Sequence, residues 1–182
     1  MDQVLNKVRK IKCLICDIDG VMTDGLNYLD NHGNELKSFN VQDGVGLKLL
    51  MAAQIDIAVI TGSYNTIIDH RMAQLGIRHY FKGQINKKQA YETLKTTLQI
   101  TDEEFAYIGD DVVDLPIMQQ VGFSIAVANA VSQIKTCADW TTQAAGGRGG
   151  LREACNFILD AQNKTDEAIQ GYLYGDKDIT HA

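Results

Sequence analysis

The chain has a single proline and a single tryptophan, and aromatic residues make up only 7% of it. One proline leaves no Pro-rich linker, and no tandem repeat or low-complexity tract breaks the chain, so one domain over residues 1–182 is expected. No apolar run approaches the ~20 residues that span a bilayer. The first residues, Met1-Asp2-Gln3-Val4-Leu5-Asn6-Lys7, lack the apolar core of a signal peptide, so a cytoplasmic protein without membrane attachment is expected. Lys and Arg number 17 against 23 Asp and Glu, a net charge of -6, which argues against a broad surface for nucleic acid or anionic membrane. A small anionic substrate needs only a local basic pocket. Of four cysteines, Cys13 and Cys16 have C-x-x-C spacing. They lie inside an apolar run with no second pair, and read as buried, reduced thiols. No G-x-x-x-x-G-K-[ST] loop is present, which disfavours P-loop chemistry. His32, His70, His79 and His181 have no Ser-His-Asp context.

The remaining composition, 45% hydrophobic and 22% charged, is ordinary for a globular protein. Residues 11–16 form an apolar run that stops at Asp17-Ile18-Asp19-Gly20. A short run bounded by turn residues suits a strand buried on both faces. If the strand geometry persists, side-chain alternation aims Asp17 and Asp19 the same way. Two such carboxylates repel unless a cation lies between them or one keeps a proton. Residues 26–39 centre on Asn31-His32-Gly33-Asn34 and predict a β-hairpin leaving the sheet beside Asp17. Further strands are predicted over 55–60, 77–81, 105–108 and 123–127, with an edge strand over 138–141. Helices are predicted over 4–9, from Asp43-Gly44 to residue 53, and over 65–75, 87–98, 115–121 and 151–161. Asn129 is predicted to cap a helix. The polar tail, 165–182, has Ile169, Tyr172, Leu173 and Tyr174 as candidate anchors. This alternation predicts an α/β fold with a mostly parallel sheet and helices on both faces.

Three predicted strands end in polar, glycine-containing turns: Asp17-Ile18-Asp19-Gly20, Thr61-Gly62-Ser63 and Gly109-Asp110-Asp111. In a parallel sheet these turns share one edge. Asp17, Asp19, Asp110, Asp111 and Asp114 would then gather hard oxygen ligands of the kind that suit Mg²⁺. Thr61 and the N–H groups after it can bind an anionic oxygen, and Lys87 can add positive charge. Carboxylates, a cation, a hydroxyl and a lysine together describe phosphoryl transfer. An aspartate at a strand end is the natural nucleophile for an aspartyl-phosphate.

The run Asp17-Ile18-Asp19-Gly20-Val21-Met22-Thr23-Asp24-Gly25 resembles motif I of the haloacid dehalogenase (HAD) superfamily. Thr61 resembles motif II, Lys87 within Gly83-Gln84-Ile85-Asn86-Lys87 motif III, and Gly109-Asp110-Asp111-Val112-Val113-Asp114 motif IV. The resemblance covers nearly the whole chain. Thr23-Asp24-Gly25, the hairpin, Asp43-Gly44-Val45-Gly46 and Gly146-Gly147-Arg148-Gly149-Gly150 are similar to the capless branch that includes phosphatases of 3-deoxy-D-manno-octulosonate 8-phosphate, in lipopolysaccharide sugar biosynthesis.

That resemblance implies a Rossmann-like HAD fold without a cap domain. Asp17 would be the nucleophile and Asp19 the acid and base. Mg²⁺ would be held by Asp17, the backbone carbonyl of Asp19, and Asp110. Asp111 and Asp114 would act through water or Lys87. Thr61, Gly62, Lys87 and Asp19 would contact the substrate, a small sugar-acid phosphate. Arg71 would meet its carboxylate or else lie on the helix surface. The branch also implies a homotetramer in which hairpins associate and a neighbouring subunit closes each site. Ser63 departs from the pattern: octulosonate-phosphate members usually carry arginine there, and some relatives acting on nine-carbon sugar-acid phosphates carry glutamate. A nonulosonate 9-phosphate is therefore an alternative substrate. A catalytically silent partner of a sugar-acid cytidylyltransferase is an alternative of another class.

Overall fold

The computed structural model describes residues 2–175. At its centre lies β1 (Cys13–Cys16), four residues with no exposed side chain, as an apolar run buried on both faces requires. It pairs in parallel with β4 (Asp56–Ile60) on one side and with β6 (Phe105–Gly109) on the other. Cys16 lies level with both Val59 and Ile108, so the three strands finish together. Adding β5 (His79–Phe81), β7 (Phe123–Ala126) and β8 (Trp140–Thr141) gives a six-stranded parallel sheet in the order β5-β4-β1-β6-β7-β8. The chain passes from β1 to β4 on one side and later to β6 on the other. The carboxyl end of β1 is thus a topological switch point, where open α/β sheets place ligands.

Helices α2 (Val41–Ala52), α7 (Gly150–Ala161) and α8 (Thr165–Tyr174) pack together, with α3 (Thr66–Leu75) beside α2 and α1 (Asp2–Val8) beside α7. A second group has α5 (Leu115–Met118) between α4 (Lys88–Leu98) and α6 (Ser132–Cys137). Right-handed crossovers put the two groups on opposite faces of the sheet. In α7 the buried Leu151, Ala154, Cys155, Ile158 and Leu159 follow helical spacing and form one inward stripe. β2 (Tyr28–Leu29) and β3 (Glu35–Leu36) form a separate antiparallel hairpin. Its turn is organised by Asp30, whose carboxylate accepts from the N–H groups of His32 and Asn34, each at 2.8 Å. All four cysteines are free, and burial pushes the thiols of Cys13, Cys16 and Cys155 up. No helix among the described residues is long and apolar enough to cross a membrane.

Three local expectations change. Helix α2 begins before Asp43-Gly44, because Asn40 is its cap and accepts from the Gln42 N–H at 2.7 Å. Asp43 instead reaches across to α7, accepting from the Arg152 N–H at 2.8 Å. Asn129 does not cap α6, whose N-cap is Val131; its side-chain oxygen accepts from the Gly146 N–H at 2.8 Å. The tail residues 165–174 form a helix whose only buried residue is Ala168, while Ile169, Tyr172, Leu173 and Tyr174 are all exposed. It docks through small residues: a Cβ on Gly171 would lie 3.4 Å from that of Ala52. Residues 176–182 of the expected tail lie outside the described residues.

Candidate active site

A cavity of ≈ 480 Å³ opens at the carboxyl ends of β1, β4 and β6, lined by Asp17, Asp19, Thr61, Ser63, Lys87 and Asp110 among others. The parallel sheet alone brings these residues together, since each lies just past a strand or at the start of a helix. A larger cleft of ≈ 720 Å³ lies at the opposite edge of the sheet, near Arg9, Lys10, Lys12 and Lys164. Lys10 and Lys12 there are paired with Glu103 and Glu104, and no strand-end carboxylate points to chemistry in it.

The inner wall of the smaller cavity is a buried ionic network. Lys87 Nζ lies 2.8 Å from Asp17 Oδ1 and 2.7 Å from Asp114 Oδ1, and donates to the Tyr107 hydroxyl at 2.9 Å. Tyr107 donates in turn to Asp114 Oδ1 at 2.6 Å. The other oxygen of Asp114 accepts from the N–H groups of Asp110 at 2.9 Å and Asp111 at 3.4 Å. Burial opposes the charge of Lys87, but the attraction of Asp17 and Asp114 outweighs it and the net shift is upward. Lys87 is therefore a fixed cation.

The carboxylates around it are less content. Burial raises Asp17 to about 6, with Lys87 pulling it back and Asp114 pushing it further up. Asp110 is raised to about 7 by burial, then by repulsion from Asp17, Asp114 and Asp111. Its Oδ1 is buried and has no hydrogen-bond partner. Oxygens of Asp17, Asp110 and Asp114 lie within 4.8 Å of one another. Both oxygens of Asp114 already serve Lys87, Tyr107 and backbone N–H groups, so the two carboxylates left for a cation are Asp17 and Asp110. An orphaned oxygen and mutually repelling carboxylates are what a divalent cation would relieve. Gly20 makes their approach possible: it has a φ of +89°, and a Cβ there would lie 1.9 Å from Asp110 Oδ2.

The outer wall is built differently. Asp19 is half exposed and pairs with Lys37 Nζ at 2.6 Å. Lys37, whose side chain is 5% exposed, also meets Glu35 at 2.7 Å. Glu35 in turn accepts from the Asn65 amide at 2.7 Å, where α3 begins. The hairpin is thereby tied to Asp19 on one side and to the loop after β4 on the other. Thr61 is buried, and its hydroxyl accepts from the Ser63 N–H at 3.1 Å. Asp111 lies at the rim as cap of the short turn Val112–Asp114, accepting from the Val112 N–H at 2.7 Å.

Arg71 is not brought to this cavity. It stacks over the Phe39 ring at 5.5 Å, donates to Gln74 at 2.7 Å, and leaves its Nε buried without a partner. Two residues were missed from the sequence. Lys37 could have been found, because strand alternation puts Glu35 and Lys37 on one face of a hairpin that leaves beside Asp17. Tyr107 had no such signal, being one apolar-looking position in a buried strand.

The sequence matches the haloacid dehalogenase-like hydrolase family over residues 46–154. It is 48% identical over 167 residues to the 3-deoxy-D-manno-octulosonate 8-phosphate phosphatase KdsC of Yersinia pestis, covering 92% of this chain and 89% of that one. Among solved structures, one described as a HAD superfamily (subfamily III A) hydrolase from Legionella pneumophila superposes with a TM-score of 0.94 at 62% identity, covering 95% of each chain. The 3-deoxy-D-manno-octulosonate 8-phosphate phosphatase of Moraxella catarrhalis, in complex with magnesium ion, phosphate ion and a KDO molecule, has a TM-score of 0.90 at 39% identity, covering 94% of this chain and 99% of that one.

Proposed function

Since the chain belongs to the haloacid dehalogenase-like hydrolase family, we propose that it hydrolyses 3-deoxy-D-manno-octulosonate 8-phosphate to the free sugar acid and phosphate, in lipopolysaccharide sugar biosynthesis. The observation that carries this reading is the arrangement at the switch point: Lys87 bridging Asp17 and Asp114, with the Asp110 oxygen left unpartnered beside them. Relatives at this level of identity over nine-tenths of the chain supply the substrate.

Asp17 attacks phosphorus, and the bond from phosphorus to the sugar oxygen breaks. Asp19 gives its proton to that leaving oxygen, then takes one from a water that attacks the aspartyl-phosphate. The bond between phosphorus and Asp17 breaks and phosphate departs. Lys87 holds one oxygen of Asp17, so the nucleophile cannot swing away. The Thr61 hydroxyl, which accepts from the Ser63 N–H and keeps its own proton to donate, and the Gly62 N–H receive phosphoryl oxygens. Mg²⁺ would be held by Asp17, Asp110 and the carbonyl of Asp19, and when bound supplies charge stabilisation to the phosphoryl group. Asp114 serves by fixing Lys87 and the backbone that carries Asp110.

The whole chain acts as one cytoplasmic catalytic domain with no cap, and a homotetramer completes the site. Two observations support the oligomer. Leu29 and Leu36 on the hairpin, Ile85 in the cavity lining and Tyr64 against Gly83 are each more than half exposed, apolar surface that suits a partner copy. Lys87 is the one cation among the described residues lining the cavity, and its hydrogen bonds are already taken; Lys37, behind Asp19, is held by Asp19 and Glu35. The substrate carboxylate must then find its cation elsewhere: from a neighbouring copy, or from Arg71 after rearrangement.

Phosphate release with Mg²⁺ from a panel of sugar phosphates tests the assignment. The expected order puts 3-deoxy-D-manno-octulosonate 8-phosphate first, with a nonulosonate 9-phosphate and neutral sugar phosphates well below it. A preference for a neutral sugar phosphate would sink it, and a preference for the nine-carbon acid would move it to that substrate.

A further inference from the structure

Two glycine motifs, 43–46 and 146–150, have no role in the cavity itself, yet they meet behind it. The loop 146–150 lies flat on the turn that follows β1. A Cβ on Gly146 would fall 1.7 Å from the Gly20 carbonyl oxygen, and one on Gly147 would fall 2.4 Å from the carbonyl carbon of Thr23. Only glycine allows backbone to approach backbone this closely. The Gly147 N–H donates to the Val21 carbonyl at 2.9 Å. The turn itself winds around the buried Thr23 hydroxyl, which accepts from the N–H groups of Gly20 at 3.2 Å and Gly25 at 3.3 Å.

The loop is held from three directions. The Gly146 N–H donates to Asn129 Oδ1 at 2.8 Å. The Arg148 guanidinium donates to Asp24 Oδ2 at 3.3 Å, the same oxygen that accepts from the Tyr28 hydroxyl of the hairpin at 2.8 Å. From behind, the buried Asp43 of α2 accepts from the Arg152 N–H in the first turn of α7. Gly46 lets the two helices close up: a Cβ there would lie 2.9 Å from Arg152 Cδ.

We propose that Gly146, Gly147 and Asn129 are positioning residues that clamp the backbone of residues 20–23 and so set where the Asp19 carbonyl and carboxylate stand in the site. A backbone carbonyl has no rotamer of its own, so neighbours must hold its peptide plane. Gly46 of α2 lets α7 close on it, and the glycines just before α7 let the loop close on the turn. The inference rests on the proposed assignment of Asp17, the Asp19 carbonyl and Asp110 to the cation.

Calorimetric titration with Mg²⁺, alongside kinetics and thermal unfolding, tests it on wild type, Asn129→Ala, Asn129→Asp, Gly146→Ala and Asp110→Asn. Asn129→Ala is expected to bind Mg²⁺ about 10-fold more weakly, with kcat lowered, KM for the sugar phosphate unchanged and a midpoint within about 5 °C of wild type. Asn129→Asp keeps the acceptor oxygen and is expected to restore binding. Gly146→Ala, which must push the turn away, should lose more affinity than Asn129→Ala. Asp110→Asn should lose binding altogether. Wild-type Mg²⁺ affinity in Asn129→Ala, with binding lost in Asp110→Asn, overturns the clamp and leaves the proposed function standing. Equal damage in Asn129→Asp and Asn129→Ala also overturns it. Wild-type affinity in Asp110→Asn overturns the cation assignment and the clamp with it.

Discussion

Asp17 and Asp19 are one residue apart, and the protein holds them in opposite ways. Asp17 is gripped from the sheet side: it is buried, follows a fully buried strand, and meets a lysine whose other partners are also buried. Asp19 is gripped from the hairpin side: it is half exposed, and its partner Lys37 sits on an element joined by strands of only two residues. The inner group gains precision, because strands and packed helices hold geometry better than loops. The outer group gains freedom, which suits a residue that must pass a proton in both directions and let a product leave. The contrast divides the site into a rigid half for the phosphoryl group and an adjustable half for the leaving sugar.

The largest expected effect is on the rigid half. Asp17→Asn should lower phosphate release by on the order of 10⁴-fold or more while the protein stays folded; retained activity would place the nucleophile elsewhere. Lys87→Met comes next and should act on stability as well. It leaves Asp17 and Asp114 facing each other in a buried site, so urea unfolding should show a loss of about 3–5 kcal/mol. Lys37→Met provides the contrasting case. It should lower kcat by roughly 10-fold through a misplaced Asp19, yet alter stability by under about 1 kcal/mol, since both its partners, Asp19 and Glu35, stay in reach of solvent once unpaired. If Lys37→Met unfolds the protein as readily as Lys87→Met, the two halves do not differ in the way described.

Protonation tests the rigid half. Asp17 at about 6 and Asp110 at about 7 are both raised from 3.8, chiefly by burial. The folded chain therefore holds these protons more tightly than the unfolded chain. The stability this contributes is complete below the unfolded value and is lost as pH rises through about 6 to about 7. Mg²⁺ competes with the same protons, so the rise in thermal midpoint that it produces should grow between pH 5 and pH 8. A shift equal at both ends would break the assignment of these two groups to the cation. The smallest effect expected is from Tyr107→Phe, which removes one buried hydroxyl from the Lys87–Asp114 network and should lower stability by about 1 kcal/mol without changing substrate preference.

Most strands and helices were legible because each carries its own period. The run 11–16, the strand before Thr61 and the helix ended by Gly76 all lie within a residue or two of where the pattern put them. Capping was read less well, because side-chain oxygens near a helix start are interchangeable in sequence. Asn129 looked like a helix cap and Asp43 like a helix start, and both side chains bond to another segment instead. The tail was misjudged for a related reason. Large apolar residues look like anchors, but α8 lies close against α2 through Ala168 and Gly171, and small residues leave little trace in a hydropathy pattern.

What the chain determined by itself was which residues stand at strand ends. Alternating periods dictate a parallel sheet, a parallel sheet puts its carboxyl ends on one edge, and that is enough to gather Asp17, Thr61, Lys87 and Asp110. What only the tertiary structure decided was how each is held. Whether Asp114 faces a cation or a lysine depends on packing between segments 27 residues apart, as does whether Arg71 reaches the cavity and which face of the hairpin lies on Asp19. Period fixes direction along one element; contact between elements depends on crossings and side-chain shape, and no single stretch of sequence carries that information.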